Sequence, residues 1–174
     1  MGKKLEFSNY ENIAVDDNLF SYQDTLYVPL VGGQIFGLDM QDGSQKWLWS
    51  DNHAGGGRFE SYESEIYCTN YEQLFKIDGN TGQTIKAITF SATPEVTQFR
   101  ATGPIWVYED VVICMNVGEC EVLILNRSDL SFRDFVKIHS IHIPNGKSSI
   151  CWQDKKLYVI DGERVLHIFE DEMV

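Results

Sequence analysis

Catalysis or metal binding needs particular side chains brought to one point, and this chain offers few. His139 and His142 are three residues apart, which in a strand places them on opposite faces, a poor arrangement for a shared metal. Cys114 and Cys120 flank a short segment beside Glu119 and Glu121, so a metal there would need a histidine from elsewhere. Buried thiols are the simpler expectation. His167 lies between Leu166 and Ile168 and so points away from their face, with no evident nucleophile near it. Gly55-Gly56-Gly57, between His53 and Arg58, could offer backbone N–H groups to an anion, but no strand-to-helix context makes it a phosphate loop. It reads as a flexible connection. Neither Gly-x-Ser-x-Gly nor His-Glu-x-x-His occurs, and no carboxylate stands in an apolar setting that would raise its pKa. The expectation is a protein without catalytic residues, cofactor or metal.

The elements that would position any site are short strands. Residues 18 to 49 read as three strands and the start of a fourth: Leu19-Phe20-Ser21-Tyr22, Leu26-Tyr27-Val28, Ile35-Phe36-Gly37-Leu38 and Lys46-Trp47-Leu48-Trp49. β-branched and aromatic residues fill the runs, and Asp, Asn and Gly fill the gaps, which is hairpin punctuation. The pattern returns from Tyr62, Tyr108 and Trp152, at intervals of 40, 46 and 44 residues. Four strands per unit of roughly 40–45 residues is the propeller signature, since one meander cannot bury both its faces alone. The chain is therefore expected to be all-β: one small four-bladed β-propeller domain of antiparallel four-stranded meanders spanning 1–174. The blades fall at approximately 18–50, 58–90, 104–138 and 148–170. Tyr22, Tyr62, Tyr108 and Trp152 are expected at equivalent positions near the inner strands. The fourth unit lacks an outer strand, and Lys4 to Phe7 is a strand without a nearby partner. Residues 4–8 are thus expected to supply that outer strand and close the ring, with Ile13-Ala14-Val15 as a second candidate. Closure would also remove an exposed edge.

Leu26-Tyr27-Val28, Ile35-Phe36-Gly37-Leu38-Asp39, Asp42-Gly43 and Lys46-Trp47 resemble one repeat of the quinoprotein-like (pyrroloquinoline-quinone-type) β-propellers. The second unit matches through Ile77-Asp78-Gly79-Asn80-Thr81-Gly82, with Lys86 where that repeat has Trp. The third has Asn126 for Asp and Leu130 for Gly, and the fourth ends before the turn. The resemblance implies the fold. The family's enzymes hold a quinone in larger rings with several tryptophans, calcium-binding carboxylates and export. With only Trp47 at a docking place, no cofactor is expected here.

Of 174 residues, 26 are acidic and 14 basic, a formal charge of −12. Nucleic-acid binding needs a basic face, so it is not expected; high solubility or a basic partner is. Met1-Gly2-Lys3-Lys4 leads into Leu5-Glu6-Phe7 without an apolar core, and no run approaches a membrane span. A cytoplasmic protein with reduced cysteines is the expectation, without a membrane association.

What remains is an acidic ring made for binding. An immunity protein that neutralises a cognate toxin fits physically, because many toxin domains are basic nucleases and opposite charge speeds their capture. A general interaction scaffold, or a propeller binding a small molecule or sugar, is the alternative. Contact residues are expected in turns: Asp16, Asp17, Tyr71, Glu72, Glu119, Glu121, Asp161 and Glu163.

Overall fold

The computed structural model describes residues 19–30, 32–51, 58–93, 96, 98–140, 143–144 and 149–170. The expected strand at 4–8, its alternative at 13–15, Asp16 and Asp17 lie outside these. The first sheet holds β1 (Phe20–Tyr22), β2 (Thr25–Leu30), β3 (Gln34–Asp39) and β4 (Gln45–Ser50). The second holds β5 (Phe59–Tyr62), β6 (Glu65–Thr69), β7 (Gln73–Asp78) and β8 (Thr84–Thr89). The third holds β9 (Ile105–Val107), β10 (Val111–Asn116), β11 (Glu121–Asn126) and β12 (Phe132–Lys137). The fourth holds β13 (Ile150–Gln153), β14 (Lys156–Ile160) and β15 (Leu166–Glu170). Every sheet is an antiparallel meander in chain order, the first three of four strands and the last of three described strands. Among the described residues a 3₁₀ turn spans Phe90–Ala92. The fold is the all-β, four-bladed propeller architecture.

The repeat is visible in hydrogen bonds as well as in spacing. After the third strand of the first three blades the chain makes the same tight turn: Gly43 N–H donates to Asp39 O, Gly82 N–H to Asp78 O, and Leu130 N–H to Asn126 O. Each turn then ties to the first hairpin of its own blade, through Met40 to Asp24, Gly79 to Ser64 and Arg127 to Asp110. Gly43 and Gly82 have φ of 73° and 69°, the left-handed region glycine enters freely. Leu130 occupies the same place at φ 55°, with its side chain 2% exposed. Burial of an apolar side chain offsets the backbone cost, so the turn persists without its glycine.

The sheets stack through apolar faces. Tyr27, Ile35, Trp47 and Trp49 of the first pack on Ile66, Cys68, Phe75 and Ile77 of the second. Tyr67 and Leu74 meet Ile105, Val112, Cys114, Leu123 and Leu125 of the third. Ile113, Met115, Val122 and Ile124 meet Ile150, Trp152, Leu157 and Val159 of the fourth. The middle strands β3, β7 and β11 are therefore buried on both faces. The connector after β8 is part of this core, because Phe90, Val96, Phe99 and Ala101 are buried in the second seam. Phe99 stands edge-on to Phe90, ring centroids 5.1 Å apart.

One equivalence requires correction. Tyr22, Tyr62 and Tyr108 do close the first hairpin of their blades, opposite Thr25, Glu65 and Val111. In the fourth blade that place belongs to Gln153, opposite Lys156. Trp152 lies one residue earlier and, because strand residues alternate, on the opposite face, packed toward the third blade. Its indole N–H donates to Asp110 at 3.1 Å and Arg133 stands 5.2 Å over its ring.

Candidate protein-binding site

In a meander the second turn of each blade and the inter-blade connectors share one face, and here hydrogen bonds join them. The tip between β6 and β7 is built by Asn70. Its Oδ1 accepts the N–H of Gln73 at 2.9 Å and of Glu72 at 3.3 Å, while its Nδ2 donates to Asp51 at 2.9 Å. This side-chain-closed turn holds Tyr71 at φ 70° and leaves it 42% exposed, an aromatic side chain held into solvent. The connector locks the tip from the other side, with Ala101 N–H donating to Tyr71 O and Phe90 N–H to Glu72 O, both at 2.9 Å. Arg100 pairs with Glu72 at 3.5 Å, an exposed contact worth little on its own. An open depression of about 510 Å³ lies against this tip, lined by Asn70, Tyr71, Glu72, Gln73, Arg100 and Thr102.

Thr102 carries the connection to the next blade, its hydroxyl accepting Val117 N–H at 2.9 Å. Beyond it Glu119 is exposed at the tip between β10 and β11. Glu121 is half-buried at the base, bound by Lys137 at 3.1 Å and Asn116 at 3.3 Å. Glu163 is exposed at the tip between β14 and β15. The face thus gathers Tyr71, Glu72, Glu119 and Glu163 as solvent-facing groups on three equivalent tips.

Asp161 does something else. It is 2% exposed, and its Oδ1 accepts the N–H groups of Glu163 and Val165, both at 2.9 Å. Its Oδ2 lies 2.9 Å from His167 Nε2. His167 therefore turns inward, as the alternation requires, to hold a turn. The His167 contact and the backbone donors bring the Asp161 carboxyl down to about 2 from an ordinary 3.8. A carboxyl depressed by folding contributes stability above its unfolded value and loses it as pH falls through the folded one. In thermal melts Asp161→Ala is expected to melt below the parent at neutral pH, with the gap shrinking as pH falls from about 4 towards about 2. A gap that stays constant across that window would show that the turn does not depend on the charge.

The cysteines separate rather than converge: Cys114 faces the second blade and Cys120 the fourth. Burial pushes the Cys114 thiol up to about 12 and the Cys68 thiol higher still. His139 is exposed, and His142 and His53 lie outside the described residues. Asn70, Arg100 and Thr102 were not singled out from the sequence. An Asn directly before an exposed Tyr between two strands was the available signal for the first.

The fold and this face define a β-propeller with its tips and connectors joined on one side. Comparisons with solved structures agree on the fold. The computationally designed Ika4 protein superposes with a TM-score of 0.69 at 10% identity, over 98% of this chain and 99% of Ika4. The computationally designed Ika8 protein gives 0.67 at 9% identity over 87% of this chain, but only 44% of Ika8. Quinohemoprotein alcohol dehydrogenase from Comamonas testosteroni gives 0.58 at 12% identity, over 84% of this chain and 29% of the dehydrogenase. The chain thus spans under half of Ika8 and under a third of the dehydrogenase. At these identities the resemblance to quinoprotein-type propellers is one of architecture. No family model and no curated protein matches the sequence. Among the described residues no helix is long and apolar enough to cross a membrane.

Proposed function

We propose that this chain is a non-enzymatic, protein-binding propeller whose loop face captures a basic partner, and that the partner is a toxin or nuclease domain that it neutralises. The observation that carries the reading is Tyr71, held in solvent by the Asn70 turn beside Glu72 and an open depression. A rigid aromatic anchor ringed by polar groups is the pattern of an energetic centre in a protein interface. Glu119 and Glu163 extend acidic charge to the neighbouring tips, and the net charge of −12 suits steered capture of a basic surface. A propeller places such loops on a rigid scaffold, which serves a binding protein without any catalytic group.

The test begins with capture of a stoichiometric partner from the native cell, followed by stopped-flow association. Reversing Glu72, Glu119 and Glu163 together to Lys is expected to slow association at low salt by about tenfold or more and to flatten its salt dependence. Tyr71→Ala is expected to act on dissociation instead. Glu170→Lys, away from the tips, serves as the control. An unchanged association rate in the triple reversal would remove this face as the binding surface.

A further inference from the structure

Among the described residues a guanidinium is held twice by the same two groups, an aromatic face and a carboxylate. Arg127 lies 4.2 Å over the Tyr62 ring and pairs with Glu65. Arg133 lies 5.2 Å over the Trp152 ring and pairs with Asp110 at 3.0 Å. Both arginine side chains are largely buried, and both join neighbouring blades. The tip between β6 and β7 offers the same two groups to solvent. Tyr71 and Glu72 are exposed and line one depression, and among the described residues no cation stands over the Tyr71 ring. Glu72 meets Arg100, but through a single contact of 3.5 Å between side chains that are each about two-thirds exposed, so the pair is loosely held. The backbone around the pair is fixed, by Ala101 N–H to Tyr71 O and Phe90 N–H to Glu72 O. Phe99, next to Arg100, stands edge-on to Phe90 and Phe135, at 5.1 and 6.4 Å between centroids. The two side chains of the pair can therefore change partners without moving the scaffold. A second open depression, lined by Ser91, Gln98 and Phe99, shares Glu72 and Arg100 with the first and gives Arg100 room to swing aside.

We infer that the depression at this tip receives one arginine side chain of the protein partner, and that Arg100 is an internal placeholder that gives up Glu72 to it. The inference rests on the loop face being a protein-binding surface, and it names the group that this surface takes. A guanidinium suits both walls, because it stacks flat on an aromatic ring and can engage both oxygens of a carboxylate. An ammonium meets the charge but lacks the planar fork. Arg100 reaches Glu72 through one nitrogen and one oxygen, so an incoming guanidinium that binds both oxygens replaces a weak pair with a stronger one. Until Arg100 moves, its like charge opposes entry. It thereby filters partners, since a poorly placed cation does not displace it. An arginine at the centre of an interface, against an aromatic side chain, is also where binding energy concentrates.

The test titrates end-blocked Gly-Arg-Gly and Gly-Lys-Gly peptides at low salt into the isotope-labelled full chain, followed by amide NMR shifts. The arginine peptide is expected to shift the amides of Tyr71, Glu72 and Gln73 and to bind about threefold more tightly than the lysine peptide. Arg100→Gln is expected to strengthen arginine-peptide binding by about threefold, the opposite of what loss of a supporting ion pair would do. Tyr71→Ala is expected to weaken it by about threefold and Tyr71→Phe to restore it, because the ring face and not the hydroxyl makes the contact. Glu170→Gln, away from the tips, is expected to bind as the parent does. Equal affinity for the two peptides overturns the guanidinium assignment, and an Arg100→Gln chain that binds no more tightly overturns the placeholder. Shifts on other acidic turns with none at Tyr71 overturn the site itself. The loop face is decided separately. Arginine-selective binding at the tip, alongside an unchanged association rate in the triple reversal, would remove that face as the partner's surface and leave this site standing. A slowed triple reversal without selectivity for arginine would do the reverse. Should a substituted chain fail to fold, the two peptides on the parent still decide.

Discussion

Replacing Trp47 with Ala is expected to lower the free energy of unfolding by about 3–5 kcal/mol, the range for removing a buried aromatic side chain. Trp47 is 8% exposed and is where the first blade docks on the second. Its indole N–H donates to Gly79 O at 2.9 Å, in the tight turn of the next blade. Its ring lies on Gly82 of that turn and over Gly37 of its own sheet, where any Cβ would enter the ring. Tyr27 flanks it at 5.8 Å between centroids. Two walls of that space are backbone, at Gly37 and Gly82, which limits how far it can collapse. Trp47→Phe retains most of the apolar volume and loses the hydrogen bond, so its expected cost is about 1–2 kcal/mol. Urea titration separates the two: both midpoints fall, with the slope unchanged if the transition stays two-state. Equal midpoints for the Ala and Phe variants would show that the ring's volume is not what holds the seam.

The blade repeat was legible because turns demand particular residues. Asp39-to-Gly43 and Asp78-to-Gly82 announce the same turn by chemistry alone, and Asn126-to-Leu130 could be placed by spacing although its glycine is gone. Trp152 was misplaced because an aromatic residue beside a turn looks the same whichever face it takes. Only the pairing of Gln153 with Lys156 settles the register. Asp161 was read as a surface acid because turns usually expose them. Its inward direction depends on His167, six residues on and across the hairpin, which no local pattern encodes. Tyr71 and Glu72 were legible as a tip. The Asn70 and Arg100 side chains that shape it depend on a connector whose packing rests on Phe99, and that contact is set by the third dimension.

Where the second blade lacks a docking tryptophan, a different residue takes over, and removing its partner is expected to be costly. Lys86 stands in the register of Trp47, but the Lys opposite it, Lys76, does the docking from the place of Gly37. Lys76 is 6% exposed and its Nζ donates to Arg127 O at 3.2 Å, the counterpart of the Gly79 carbonyl that Trp47 binds. The buried ammonium is balanced by Glu65 at 2.7 Å. The same carboxylate accepts Tyr67 OH and pairs with Arg127, both at 2.5 Å, and Arg127 lies 4.2 Å over the Tyr62 ring. Glu65→Ala strands Lys76 as an unbalanced buried charge, and the expected loss is about 3 kcal/mol. Removing both charges with Glu65→Gln and Lys76→Met is expected to recover much of it, giving a coupling of about 1–3 kcal/mol in a double-mutant cycle. Acid titration supplies a second readout. Burial raises the Glu65 carboxyl, but Lys76, Tyr67 and Arg127 together outweigh it and hold the group below its ordinary 4.5. Its contribution is therefore present above that value and is lost as pH falls through the depressed one. The stability difference between the parent and Glu65→Gln should narrow as the solution is acidified below 4.5. A difference independent of pH, together with additive single and double variants, would mean that the seam between the second and third blades is held by its apolar contacts alone.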